Sequence, residues 1–555
     1  MDITQIGLFW CVSMVLAAFA TGVHGKEKQS FPSDLPIIIV GAGAAGLAAA
    51  QRLYDSGFRN VTILEALGRT GGRILSKTQP GNHFLEFGGD VIHETGHLLY
   101  DFAEKHHLLD PAPEVLDEPF LYRERKPSSI EEKYIKDANS YLDKLIHIYK
   151  KETKTSDPGV QTVSVESDRS AQMLKHLAAV LSGSNHEQDQ YGVLDAARQL
   201  RQFEAVYYYY LRKEMVETPS PDPNLLSRRH YTDKRSGPPN FVLKPTVAMS
   251  SVVDNMTSTF PRSWLKLNKP VQRIEQWNAD LATNTTRVTV RCSDGTWLSG
   301  AHVILTLPLG VMKRSPDLFE PALTTEKLNA IADAGFGSMS KLYVRFPTAF
   351  WEGLQPRGSS KFGLIMTEDI KSSIPFTSKQ STVWTDFVVQ FGPVASRNAI
   401  PNTIWVLIGG PGSYLVDQLS DVQVLNECWQ ILQKYCREVQ VPRPIELIRE
   451  KWSNNPYFQG TYTFFSVNSS RANRSPSDLA LPEWEFETAQ KGKKAYSLLF
   501  AGEATHSEYF GTIHGALLSG QREADRLKGF YSNFAAKSGF SFFLFLLMII
   551  LTLIF

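Results

Sequence analysis

After Pro36 the chain runs IIIV, passes through a glycine-spaced stretch, GAGAAG, enters an Ala-rich segment, LAAAQRLYDSG, and returns to an apolar run, VTIL, that ends at Glu65. A short unbroken apolar run bounded by turn residues predicts a strand buried on both faces, and the alanine segment predicts a helix packed against it. Further on, VTVRCSDGTWLSGAHVILTLPLG predicts two antiparallel strands joined at Asp294-Gly295, then a buried strand that ends at Pro308. Lys341 opens another strand, in which Leu342, Val344 and Phe346 alternate with Tyr343 and Arg345, so its side chain is fixed to one face. Ile130 to Leu145 and Leu194 to Lys213 have helical spacing with charges interspersed, which predicts a largely helical lobe. Within it, Tyr207 to Tyr210 divide between the core and the surface of one helix, and ETPSPDPN then marks a loop.

The 555 residues, 43% hydrophobic and 21% charged, exceed one small module and hold ample material for buried cores. With 58 Lys+Arg against 57 Asp+Glu, no overall field exists to attract nucleic acid. The short basic stretch around Arg228, Arg229, Lys234 and Arg235 reads as a solvated loop. Cys11 falls in a segment expected to be removed, and Cys428 and Cys436 lie roughly 12 Å apart along a predicted helix, so no disulfide framework is expected. The remaining cysteines read as small buried hydrophobes.

Both ends are apolar. Ile6 to Ala20 followed by small residues resembles a secretory signal peptide over 1–25, with Asp2 as the only charge before the apolar run. Phe540 to Phe555 is apolar except for Ser541 and Thr552. A helix of that length rises about 24 Å, short of the ~30 Å hydrocarbon core, so 538–555 is expected to be a strained span or a removed signal for a lipid anchor. The expectation is a cell-surface protein of the secretory pathway, held at the membrane through this tail.

The chemistry begins in the first strand-helix-strand unit. Gly41 permits the tight turn, Gly43 lets a pyrophosphate approach the backbone, and Gly46 allows the helix to pack on the strand, with Ala45 between them in the first turn. Glu65, at the end of the second strand, is placed to accept from a ribose. The set predicts nucleotide binding. Farther on, HETGH also satisfies the HExxH zinc pattern through His93 and His97. That reading needs a helix, whereas Thr95 and Gly96 are poor helix residues and no third ligand follows.

EALGRTGGRI, directly after the ribose acid, resembles the FAD-dependent amine oxidases, closest to the polyamine and spermine oxidases. The resemblance implies that Arg69, Gly72 and Arg73 lie near the FAD phosphates. LEFGGDVIHETGH resembles the segment over the flavin ring, with Gly88 and Gly89 allowing close approach and His93 matching a pocket histidine; Glu94 stands where the family usually has glycine. The valine of Pro270-Val271 matches a residue whose backbone contacts adenine, while Lys244-Pro245-Thr246 replaces the family's glycines before the preceding helix. Lys341 matches the lysine that holds a water beside flavin N5. Trp452 and Tyr462 match aromatic neighbours of the flavin, and Thr461 occupies the position where monoamine oxidases carry the cysteine that attaches FAD, which implies non-covalent binding. LLFAGEATHSEYFGTIHGALLSGQREADRL is the most specific match. In it Gly502 and Glu503 serve the pyrophosphate-ribose region, and Thr512 and Ile513 open a helix toward the flavin N1/O2 edge. Thr512 replaces a second cage aromatic of the monoamine oxidases.

The fold implied is α/β: a Rossmann-like FAD-binding domain of the glutathione-reductase type, assembled from discontinuous segments (34–110, 241–310, 451–530), plus an α+β substrate domain (111–240, 311–450). The function implied is oxidation by O2 of a polyamine, spermine or an acetylpolyamine, to an aldehyde, a shorter amine and hydrogen peroxide, with Lys341 and His93 as catalytic candidates. Two alternatives stay open. One is the same chemistry on another amine or an amino acid; the other is an anchored FAD-fold protein without turnover.

Overall fold

The computed structural model describes residues 33–110, 120–123, 205–206, 208–234, 240–244, 246–280, 285–354, 361–365, 382–394, 400–487 and 494–532. Both apolar termini and the stretch 130–145 lie outside the described residues. Among the described residues no helix is long and apolar enough to cross a membrane.

The strand Ile37–Val40 is wholly buried, as an unbroken apolar run requires, and it sits inside a six-stranded sheet. It pairs in parallel with His302–Leu305 on one side and Val61–Leu64 on the other, in the registers Ile37↔His302 and Ile37↔Val61. Lys494–Phe500 and Leu265–Lys266 extend the parallel array outward, and Glu483–Glu487 closes one edge antiparallel. Strands from three distant stretches of the chain therefore converge on one sheet. The helix Ala44–Asp55 crosses from the first strand to the second, and its alanines are buried because small side chains let it lie close to the sheet. Helix and sheet share a core that includes Ile39, Leu47, Ile63, Leu499 and Leu517.

A second six-stranded sheet runs in the order Glu446–Ile448, Ser340–Arg345, Thr403–Ile408, Val388–Pro393, Phe362–Ile365 and Phe120–Arg123. All its pairings are antiparallel except the last. Leu342, Val344 and Phe346 face its core with Phe391 and Ile408, which leaves Lys341, Tyr343 and Arg345 on the opposite face, as the alternation predicts. The predicted hairpin forms at Asp294-Gly295, with Gly295 at φ 82°, between Thr285–Cys292 and Trp297–Gly300. Cys292, Cys428 and Cys436 are free and buried. Tyr209 is fully buried in the helical stretch 208–217.

One expectation fails. The described part of the basic stretch, 228–234, is no solvated loop: Arg228 and His230 are buried, Arg229 stacks on Phe465 at 4.5 Å, and Lys234 reaches the wall of a cavity, while Arg235 lies outside the described residues. Ser227 N–H donates to Phe465 O and Phe465 N–H donates to His230 Nδ1, which straps the short helix Arg229–Asp233 to the strand Tyr462–Phe464. Net charge reports no single side chain's position, and the apolar stems of Lys and Arg cover aromatic surface readily.

Candidate active site

A cavity of about 2320 Å³ opens between the carboxyl ends of the parallel strands and the exposed face of the second sheet. Ligands in open α/β sheets bind at such strand ends, where neighbouring crossovers diverge. Of the residues given a catalytic or cofactor-binding role from the sequence, all line this cavity except Gly46 and Arg69.

The glycines differ in what a side chain at each would meet. Gly41 has φ 104°, and a Cβ there would lie 2.5 Å from Thr306 Oγ1. A Cβ on Gly46 would lie 2.0 Å from Gly41 O, so only glycine brings the helix this close to the strand. On Gly43 the nearest atom to a Cβ is 3.9 Å away: nothing in the protein needs that glycine, and the open space belongs to the cavity. Gly88 and Gly89 are small for reasons internal to the fold, since their Cβ atoms would meet Arg73 O at 1.8 Å and Ile513 Cγ1 at 2.9 Å. Arg69 braces the glycine turn, donating to the carbonyls of Thr70, Gly72 and Ile74.

Glu65 takes Ala42 N–H at 2.7 Å on one oxygen and Leu67 N–H at 2.8 Å on the other, so its carboxylate is locked at the cavity rim. Glu503 is buried and gathers Arg73 Nη1 at 2.8 Å, Thr463 Oγ1 at 3.1 Å and Gly511 N–H at 2.8 Å. It therefore ties together the glycine turn, the strand Tyr462–Phe464 and the approach to the helix over 513–532. Thr512 Oγ1 accepts Gly515 N–H and caps that helix, whose positive end suits an anionic edge of a ligand. Trp452 is buried and donates to Phe87 O, while the Tyr462 hydroxyl donates to Val216 O, so both rings are fixed at the wall. Val271 lies on the same wall, at the start of its strand.

Lys341 Nζ sits 2.6 Å from Asp90 Oδ2 and 3.3 Å from Glu86 O. Burial alone would lower its pKa, but the Asp90 carboxylate, with Tyr343 and Glu86, outweighs that effect and holds the ammonium charged above the ordinary lysine range. Burial pushes Glu86 up to about 7, although Met249 N–H and the Ser76 hydroxyl both donate to it. His93 belongs to a two-residue strand paired with Asn240-Phe241, and its Nδ1 lies 2.7 Å from Asn240 Oδ1. Burial, with a contribution from Lys234, lowers its pKa against that bond and keeps the ring neutral at pH 7. His97 caps the helix Leu98–Lys105 from outside it, accepting Tyr100 N–H and bonding His93 O, so the two histidines of HETGH are not on one helical face. Glu94 adopts φ 60°, the left-handed region, which accounts for glycine being usual there. Sequence reasoning missed Asp90, Glu86, Asn240 and Lys234, because each becomes part of the site through contacts distant in sequence.

A glycine turn at the head of a buried parallel strand, a buried acid at the end of the next strand and a cavity more than twice the usual ligand volume define a dinucleotide-dependent enzyme with room for a substrate beside the nucleotide. The family profile described as flavin containing amine oxidoreductase matches residues 44–528. The chain belongs to that family, and its cofactor is FAD. The peroxisomal N(1)-acetyl-spermine/spermidine oxidase of Bos taurus is 28% identical over 91% of this chain and 96% of its own length. Protein anon-37Cs of Drosophila lebanonensis is 30% identical over 91% and 89%. The solved cyclohexylamine oxidase of Brevibacterium oxydans IH-35A shares the fold, with a TM-score of 0.59 at 17% identity over 89% of this chain and 99% of that one.

Proposed function

We propose that this chain oxidises a polyamine, spermine or an acetylated form, using O2 and yielding an aldehyde, a shorter amine and hydrogen peroxide. The observation that carries the reading is Lys341, a cavity-wall ammonium held by Asp90 on the face of the second sheet that looks onto the nucleotide side of the site. The Bos taurus relative's name and the placement of Thr512, a helix-capping residue rather than a second ring opposite Tyr462, favour a polyamine over an aromatic monoamine.

FAD, when bound, supplies the hydride acceptor and the reaction with O2. Gly43, Glu65 and the Arg73-Glu503 pair are placed to hold its nucleotide and phosphate portions, and the open space over Gly43 fits that role. Thr461, in place of a cysteine, leaves the cofactor non-covalent. His93 donates from Nδ1 to Asn240, which leaves Nε2 with its lone pair; a neutral imidazole so oriented accepts a hydrogen bond from the substrate amine. Lys341 has a hydrogen left beyond those given to Asp90 and Glu86, and with it holds a water at the reacting end of the cavity. Phe87, Tyr343 and Trp452 wall this end with aromatic surface and limit solvent entry. The imine that leaves is hydrolysed to the aldehyde and the shorter amine.

Peroxide release from the FAD-loaded chain tests this directly across spermine, N-acetylspermine, benzylamine and L-lysine. Polyamines should be the best substrates by kcat/KM. Faster turnover of benzylamine or of the amino acid would reject the polyamine assignment.

A further inference from the structure

Lys234 has no place in the mechanism above, yet it stands on the wall of the same cavity. Its ammonium lies 6.0 Å from the Tyr462 ring centre, 5.6 Å from that of Phe510, and 3.5 Å from where a Cβ on Gly511 would be. Among the described residues no oxygen accepts a hydrogen bond from it; its partners are two aromatic faces and the more distant carboxylates of Glu503 and Glu217. The position is not accidental, because the helix that ends immediately before Lys234 is strapped to the Tyr462 strand through Ser227, His230 and Phe465. A lysine with three donors and no acceptor oxygen, aimed at an aromatic wall, is suited to a ligand that brings an oxygen. It is unsuited to a ligand that brings a second ammonium to the same place.

Resting on the polyamine reading, we infer that Lys234 is a specificity-determining residue that donates a hydrogen bond to the amide oxygen of an N-acylated amine and disfavours the free polyamine at the end of the cavity beside Tyr462. Burial pulls the Lys234 pKa down to about 8, against the pull of Glu503 and Glu217. The other titratable groups whose charges couple to it are His93, His230 and His514, and all three are held below the ordinary histidine value, with burial the largest cause in each case. Lys234 is therefore the cation of this group at pH 7, and the discrimination weakens as pH rises through about 8.

The test uses the full FAD-loaded chain without oxygen, with binding read from the shift of the flavin absorbance on titration with N-acetylputrescine and putrescine. Rapid mixing with N-acetylspermine and spermine then gives the rate of flavin bleaching. The acetylated ligand should bind at least about tenfold tighter than the free diamine at pH 7, a preference that declines toward pH 9. Lys234→Met should reduce the preference about tenfold and make it independent of pH. Lys234→Gln, which keeps a donor and loses the charge, should hold the acetylated ligand while admitting the diamine. An unchanged preference in Lys234→Met overturns the inference, as does tighter binding of 4-aminobutyrate than of N-acetylputrescine, which would assign Lys234 to a carboxylate. The two claims separate cleanly. If polyamines bleach the flavin with the same preference in every variant, Lys234 loses its role and the polyamine reading stands. If no polyamine bleaches it while the binding preference depends on Lys234, the recognition stands and the turnover reading falls.

Discussion

Replacing Lys341 with methionine keeps the length and apolar stem of the side chain and removes its charge, which leaves Asp90 without its partner. The ion pair is 2.6 Å long, and its side chains retain 16% and 33% of their exposure, so it is neither a surface pair nor a fully buried one. Breaking a buried pair costs about 3–5 kcal/mol and an exposed one about 0–1, and the partial exposure here puts the loss near 2 kcal/mol. Thermal unfolding of the FAD-loaded protein should fall by a few degrees. A positioned proton-handling group contributes roughly 10²–10⁴-fold to rate, so kcat should fall by that range if Lys341 holds the reacting water. Adding Asp90→Asn separates the two effects: the double variant should regain most of the stability and none of the rate. Because the folded pKa of Lys341 is raised, the pair's stability is fully present below the ordinary lysine value of 10.5 and is lost only as pH rises through the higher folded value. Lys341 should therefore add no inflection to the rate between pH 6 and 9. A single variant that loses stability but keeps kcat within about threefold would show that the lysine only supports the wall, against the general acid–base range.

Two further outcomes follow from the glycine turn and from Glu86. Gly43→Ala meets nothing closer than 3.9 Å and should fold with unchanged thermal stability as apoprotein while losing FAD affinity, whereas Gly46→Ala, 2.0 Å from Gly41 O, should fold poorly with or without cofactor. FAD retention by purified protein and the apoprotein melting temperature distinguish the two, and equal behaviour would refute the assignment. Glu86 is raised from 4.5 to about 7, so the stability it contributes is present in its protonated form below 4.5 and declines as pH rises through 7. Glu86→Gln should flatten the loss of melting temperature between pH 5 and 8; an identical slope in the variant would mean that Glu86 does not titrate there.

What could be read from the sequence was whatever depends on local spacing. The Gly41, Gly43 and Gly46 roles follow from where a strand must turn into a helix, and the alternation from Leu342 to Phe346 fixes the face of Lys341. The partners of Lys341 could not be read this way, because Asp90 lies 251 residues away and reaches it only when the two sheets meet. The same holds for Glu86, whose pKa burial raises against the hydrogen bond it accepts from Met249 N–H, 163 residues away. The position of Lys234 is not legible either, since a cluster of basic residues looks alike whether its charged heads face water or Phe465, Tyr462 and Phe510. Gly88 and Gly89 suited a cofactor approach in the sequence, and the fold adds an equally strong demand from Arg73 and Ile513.

Two properties decide the proposed activity: FAD held in the cavity without a covalent bond, and its reduction by polyamines. Anaerobic titration of the purified chain, followed through its visible spectrum and then by denaturation and filtration, addresses both parts at once. The expected result is a flavin band that spermine or N-acetylspermine bleaches and benzylamine does not, with intact FAD in the filtrate. A flavin band that no amine in the panel bleaches, or a flavin that stays with the precipitated protein, would contradict it.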